Sequence, residues 1–297
     1  MHARTTRFAA VAAATFALSL PMLGTAQAEM TEGFATAATP TTEVVTEADV
    51  VRQPENTPPT NDWVIYTRTP ASTAVFRNGP GDLPAGTGSL TLGTPTSADK
   101  VTAFNYTHIG TELADIDAMG YSTYRTAGTL QQVASINMEV DYNGAAAGGF
   151  TTLIFEPVYN TDQGAVVNGE WQDWDAYMGG QAIWWSSRPI PGVCAFDCFV
   201  TWDAIVAANP DATILGGYGV NQGSGNAGLV TSVDALSIGT AAESVLYDFE
   251  FDADGDGTGD TAPPTSKDQC KNGGYEDFNN PSFDNQGQCV SYVQSNS

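Results

Sequence analysis

The chain has 297 residues, among them thirty-four acidic and ten basic side chains, for a net charge of −24. Such a surface repels phosphate backbones and anionic lipids, so nucleic acid is excluded as a partner, and solubility or the holding of cations becomes the natural use of the charge. Two histidines and four cysteines also exclude a multi-histidine zinc centre.

Residues Met1–Ala28 have the pattern of a secretory signal peptide. His2, Arg4 and Arg7 form a basic start, Phe8 to Leu20 an apolar core too short to span a bilayer, and Ala26-Gln27-Ala28 a small-x-small cleavage site. Cleavage removes Arg4 and Arg7 and no acid, leaving eight basic against thirty-four acidic residues, a net charge of −26, and Glu29 as first residue. It also removes His2, so any Ser-His-Asp hydrolase would have to run through His108. That residue sits at the end of an expected strand, in Tyr106-Thr107-His108-Ile109-Gly110, where a structural role is the expectation. No later segment is apolar for long enough to cross a membrane, so a secreted, extracellular protein without membrane insertion is expected.

Glu29–Asn61 is rich in Thr, Ala, Glu and Pro and nearly free of aromatic residues, the composition of a disordered leader. From Trp63 to Phe251 the texture changes to short β-branched and aromatic runs broken by Gly, Pro, Asn and Asp, which predicts one β-sandwich domain over residues 62–251. Expected strands are Trp63–Tyr66, Ser89–Leu92, Val101–Tyr106, Tyr121–Tyr124, Ala134–Tyr142, Thr151–Phe155, Trp171–Asp175, Ile183–Trp185, Ala212–Leu215, Leu229–Val233 and Ser244–Phe251. The clearest alternation puts Ile136, Met138, Val140 and Tyr142 on one face and Asn137, Glu139 and Asp141 on the other. A single short helix is expected, Trp202 to Ala208, with Thr201 as N-cap and Pro210 as stop.

Four cysteines, Cys194, Cys198, Cys270 and Cys289, allow three pairings in an exported chain, and the two local pairs are preferred. The Cys-x-x-x-Cys spacing of the first pair also fits a metal or redox site, but no further Cys or His ligand accompanies it. Residues 252–266 form an acidic linker. Its run Asp252, Asp254, Asp256, Thr258 and Asp260 places oxygen ligands at alternate positions, with Gly255 and Gly257 permitting sharp turns, a pattern that suits calcium as a structural ion. No glutamate closes the loop at the twelfth position, where Pro263 stands, so a solvated acidic linker is the other interpretation.

Glu139 and Asp141 share a strand face as some retaining jelly-roll glycosidases place their carboxylates, but the third carboxylate of that pattern falls on Gly144. Glu156 is a further candidate for such chemistry. Trp171, Trp174, Trp184 and Trp185 cluster, and an exposed indole stacks on the apolar face of a sugar ring. Because neighbouring strand residues point oppositely, one of Trp184 and Trp185 is expected in the core and the other outside. Gly223-Ser224-Gly225 lacks the spacing of a nucleophile elbow and is expected to be a turn. Asn105-Tyr106-Thr107 matches a glycosylation acceptor.

Two resemblances add to this. Cys270-Lys271-Asn272-Gly273-Gly274-Tyr275, followed by Phe283-Asp284-Asn285-Gln286-Gly287-Gln288-Cys289, resembles a recurrent C-terminal segment of secreted bacterial proteins. The resemblance implies export and a Cys270–Cys289 bridge closing an appendix over residues 267–297. Leu113-Ala114-Asp115-Ile116-Asp117, the stretch Gly149 to Pro157, and Trp171-Gln172-Asp173-Trp174-Asp175 look like the body of uncharacterised exported bacterial proteins of jelly-roll-like fold. The expected fold is therefore all-β, a jelly-roll or concanavalin-like sandwich with a disulfide-closed appendix. The expected function is a non-catalytic binding module for extracellular polysaccharide or a cell-envelope surface. A carbohydrate-active hydrolase or lyase using Glu139, Asp141 or Glu156 is the first alternative, and a structural or adhesive envelope protein the second.

Overall fold

The computed structural model describes residues 38–296 apart from 129, 130, 145 and 197, so the signal peptide and the first residues of the leader lie outside the described part. The alternating and β-branched segments form strands. In chain order these are β1 Thr41–Val45, β2 Val50–Pro54, β3 Trp63–Thr67, β4 Thr73–Asn78, β5 Gly88–Thr94, β6 Val101–Asn105, β7 Ile116–Ala127 and β8 Ser135–Asp141. They continue as β9 Phe150–Phe155, β10 Trp171–Asp175, β11 Ile183–Ser186, β12 Val200–Thr201, β13 Thr213–Gln222, β14 Leu229–Thr240 and β15 Ser244–Phe249. Among the described residues two α-helices accompany them, α1 Trp202–Ala208 and α2 Gln286–Ser295.

Eight strands make one sheet, in the order β12-β11-β9-β8-β13-β6-β3-β2, and seven make the other. In the seven-stranded sheet β14 is the axis. One side of it pairs with β7, which in turn pairs with β10; the other side pairs with β5 through Leu229–Val233 and with β15 through Leu236–Gly239. At the changeover Ala235 has φ +50° and Asp234 is fully buried, its carboxylate accepting from the backbone N–H of Phe249 at 3.0 Å and of Ala85 at 3.2 Å. That side chain ties β15 to the segment leading into β5, the two neighbours that share one flank of β14.

The inward faces of the two sheets form the core. Trp63 meets Tyr247 and Phe249 edge-on across it, at 4.9 and 5.4 Å between ring centroids. Phe155, Trp184 and Trp202 pack together at its other end. Rings of this size each remove roughly 150–250 Å² from water, which makes them the main source of sandwich stability. This is the all-β, two-sheet sandwich expected from the sequence, with Cys194–Cys198 and Cys270–Cys289 both bridged, at Cα–Cα distances of 5.2 and 5.7 Å.

Three expectations need correction. The described part of the supposed disordered leader is ordered: β1 pairs in parallel with β15, and β2 in parallel with β3. Edge pairing draws on backbone groups, which a polar sequence supplies as well as an apolar one, and only Val45 and Thr46 need to be buried deeply. Strands β4 and β12 were not expected, and β7, β13 and β14 run much longer than their apolar cores suggest. The appendix contains a second helix, α2, capped by Asn285, whose side chain accepts from Gln288 N–H at 3.1 Å. Helix α1 agrees with expectation, Thr201 Oγ1 accepting from Ala204 N–H at 3.3 Å.

Candidate functional site

Strand alternation sends one set of side chains from the eight-stranded sheet into the core and the other set outward. The outward set is Tyr66 on β3, Thr102 and Phe104 on β6, Asn221 on β13, Ser135, Asn137 and Glu139 on β8, Thr152 and Ile154 on β9, and Trp185 on β11. Two depressions lie over this face, of about 380 and 460 Å³, and they adjoin at Lys100, which lines both.

The first depression has an aromatic floor. Val64, Tyr66 and Phe104 form a small apolar cluster separate from the core, with Tyr106 packed on it. The Tyr106 hydroxyl donates to Tyr66 Oη at 3.0 Å, and burial raises the pKa of both phenols. Residues 55–59, just beyond β2, supply one wall, so the segment expected to be a flexible leader contributes to the site.

Glu139 lies at the edge of this floor, where β13 bulges: Ile214 pairs with Val140 and Tyr218 with Met138, so three residues of β13 oppose the one residue Glu139. The Glu139 carboxylate fills that irregularity, its Oε2 accepting from Gly217 N–H at 2.9 Å. A Cβ on Gly216 would stand 2.2 Å from the same oxygen, so only glycine leaves room for the contact. Burial pushes the Glu139 pKa upward.

The second depression runs over β8, β9 and β11. Trp185 projects into it, its Nε1–H donating to Glu156 Oε2 at 3.0 Å, and its ring lies 5.1 Å from Phe196. Phe196 is 63% exposed, carried outward by the short loop that the Cys194–Cys198 bridge closes. Phe199, just past Cys198, and Tyr159, both exposed, lie with tilted rings 4.2 Å apart between centroids. Asn137, Asn221, Thr152, Ser187 and Asn226 supply amides and hydroxyls between the aromatic groups. Between the depressions Glu55 accepts from Arg68 at 2.6 and 3.0 Å and from Lys100 at 2.8 Å, and these partners, Arg68 foremost, hold its carboxyl down at about 2.

Of the four tryptophans expected to contact a ligand, the structure leaves Trp185 at this face. Trp184 and Trp174 are core residues, their indole N–H groups donating to Ala176 O at 2.9 Å and Thr123 Oγ1 at 2.8 Å. Trp171 belongs to the other sheet and donates to Pro80 O. Strand parity decided between Trp184 and Trp185, as anticipated. Phe196, Phe199 and Tyr159 went unrecognised because they stand in loops without periodicity; the one available signal was an aromatic residue held between two closely spaced cysteines.

Two of the carboxylates proposed for catalysis, Glu139 and Glu156, lie far apart along the sheet. Ile136 pairs with Phe155 and Glu139 with Thr152, which puts Glu156 opposite Ser135, four residues along the sheet from Glu139, or roughly 13 Å. Carboxyl pairs in glycosidases work at about 5–9.5 Å. Asp141 instead accepts from Asn143 N–H at 3.1 Å in the turn between β8 and β9. His108 is bonded through Nε2 to the Tyr247 hydroxyl at 2.8 Å, and burial lowers its pKa to about 4. Ser224 lies in the turn between β13 and β14, and Asn105 is fully buried, which removes it as a glycosylation acceptor in the folded chain.

In the acidic linker, carboxylate oxygens of Asp252, Asp254 and Asp260 gather within 4.8 Å of one another, a cluster that could hold a metal ion. Asp256 is not part of it. Asp256 accepts from Thr258 N–H at 2.7 Å, and Asp252 from Gly255 and Gly257 N–H at 2.6 and 2.9 Å, so local turns consume the oxygens that alternation alone would have directed inward.

No family model matches the chain. No curated protein matches it either. Among solved structures it is similar to one described as a "putative sugar binding protein" from Bacteroides thetaiotaomicron, at 14% identity and a TM-score of 0.31, over 70% of this chain and 96% of that one. At that TM-score the likeness carries no argument about ligand or mechanism. No helix among the described residues is long and apolar enough to cross a membrane.

Proposed function

We propose that the protein is a secreted, non-catalytic binding module that holds an extracellular polysaccharide along the outer face of the eight-stranded sheet. The observation that carries this is the composition of that face. Aromatic rings stand at both ends, the buried Tyr66 and Phe104 with the half-buried Tyr106 at one and the half-buried Trp185 with the exposed Phe196 at the other, with amides and hydroxyls between them. A sugar chain offers the complement: apolar ring faces for stacking and hydroxyls that both donate and accept.

The separation of Glu139 from Glu156, and the engagement of each by a donor of the protein itself, favour holding over hydrolysis. Calcium suits the Asp252, Asp254 and Asp260 cluster as a structural ion, because three hard carboxylates on a loop are its usual ligands. Two disulfides fit an oxidising, extracellular setting.

Affinity electrophoresis through gels cast with different soluble polysaccharides tests the proposal. At least one polysaccharide is expected to retard the mature protein, and Trp185→Ala to weaken that retardation about tenfold, roughly 1.4 kcal/mol. Retardation unchanged by Trp185→Ala would remove the groove from the account.

A further inference from the structure

A second acidic cluster lies away from the groove, on the outer side of β15. Tyr247 and Phe249 point into the core, which turns Asp248 and Glu250 to the opposite face, where both are nevertheless buried, at 7% and 4% exposure. The 84–88 segment and the acidic linker cover them. Thr87 N–H donates to Glu250 Oε1 at 2.5 Å, and the Thr87 hydroxyl lies 3.1 Å from both Glu250 Oε2 and the backbone carbonyl of Asp260. Asp234, behind them, is fully buried as well. The charges acting on these groups are one another's carboxylates.

The donor count falls short at one atom. Asp248 Oδ1 is buried and no N–H or hydroxyl of the protein reaches it; its one hydrogen-bonding neighbour is the Glu250 carboxyl. It is aimed at Glu250: the point where a side chain on Gly86 would begin lies 2.8 Å from Asp248 Oδ1 and 1.5 Å from Glu250 Oε1, so the two oxygens are at most 4.3 Å apart. Gly86, at φ +48°, has no side chain of its own there, and the Glu250 carboxylate occupies that space. Two buried carboxylates facing each other without a cationic side chain repel strongly unless something positive stands between them.

We propose that Asp248 and Glu250 form a buried site for a hard divalent cation of the calcium type, separate from the Asp252, Asp254 and Asp260 cluster. The Thr87 hydroxyl and the Asp260 carbonyl lie beside it as further hard oxygen donors, and calcium accepts six to eight such ligands, water included. A cation there joins β15, the 84–88 segment and the linker leading to the appendix. A proton shared between the two carboxyls is the competing way to relieve the repulsion, and the experiment separates the two.

Equilibrium dialysis with radioactive calcium is carried out on the full mature chain bearing Asp252→Asn and Asp254→Asn, which disable the linker cluster while keeping a side-chain acceptor at each position. One bound calcium equivalent is expected to persist, and adding Asp248→Asn or Glu250→Gln is expected to remove it. The same two additions should abolish the rise in melting temperature that calcium gives the loop-disabled chain. No bound calcium in the loop-disabled chain, or binding that survives Asp248→Asn and Glu250→Gln, overturns the proposal. An Asp248→Asn chain as stable as its calcium-loaded parent, with no calcium response in either, would assign the pair to a shared proton instead.

Discussion

The outer face of the eight-stranded sheet and the acidic end of the seven-stranded sheet both bury carboxylates, and they treat them differently. In the groove each half-buried acid has a donor supplied by the protein: Gly217 N–H for Glu139, the Trp185 indole for Glu156, and Arg68 with Lys100 for Glu55. At the acidic end the acids outnumber the donors, and Asp248 Oδ1 has none. A surface whose polar groups are already satisfied is prepared for a neutral ligand that stacks and exchanges hydrogen bonds. One that lacks positive charge is prepared for a cation. The difference explains how a chain of net charge −24 can carry a groove whose charged groups are engaged by partners within the protein.

The largest effect that sharpens the contrast separates the two adjacent tryptophans. Trp184→Ala is expected to cost about 3–5 kcal/mol in stability, as the loss of a buried core indole. Trp185→Ala should cost less than half of that and should act on polysaccharide retention. Urea unfolding of both variants checks this, and equal destabilisation would mean that Trp185 is a core residue too.

Next comes the pH response of the contact where β15 meets the rest of the core. His108, bonded to Tyr247, has a pKa of about 4 against 6.5 for a free side chain, so the unfolded chain takes up a proton that the folded chain refuses. Stability from this residue is complete above pH 6.5 and is lost as pH falls toward 4, by up to about 3 kcal/mol. Burial raises the carboxyl pKa values of Glu139 and Glu156, which acts in the opposite direction on acidification. The difference between wild type and His108→Gln across pH 4 to 7 isolates the histidine, and parallel curves would contradict the assignment.

Smaller effects test the groove. Glu139→Ala leaves Gly217 N–H without its acceptor and should cost about 1–3 kcal/mol. Glu139→Gln keeps an acceptor and should change stability by only about 0.5 kcal/mol, with binding retained. Loss of a sugar-releasing activity in Glu139→Gln would instead make the residue catalytic. Glu55→Gln, at a partly exposed ion pair, is expected to cost at most about 1 kcal/mol, and less as salt rises.

The sandwich was legible because burying one face of a strand writes a period of two into it. Ile136 to Tyr142, the paired cysteines and the Thr201 cap all displayed their roles locally. β1 and β2 did not, since a parallel edge strand is held by main-chain bonds that any composition can make. The groove was only partly legible: Glu139 and one of Trp184 and Trp185 could be placed outward by parity, but which indole it was, and its relation to Tyr66, Phe104 and Phe196, depends on strand order across six strands. Asp248 and Glu250 showed the polar half of an alternating pattern, and nothing in β15 itself reveals that residues 84–88 and the acidic linker bury them.

The most direct test of the central claim is co-sedimentation of the mature protein with a panel of insoluble polysaccharides and cell envelopes, with the supernatant assayed for released sugar and Trp185→Ala run alongside. The account predicts depletion of the wild-type protein by at least one polysaccharide, weaker depletion of the variant, and no released sugar. Released sugar, or depletion that ignores the substitution, would contradict it.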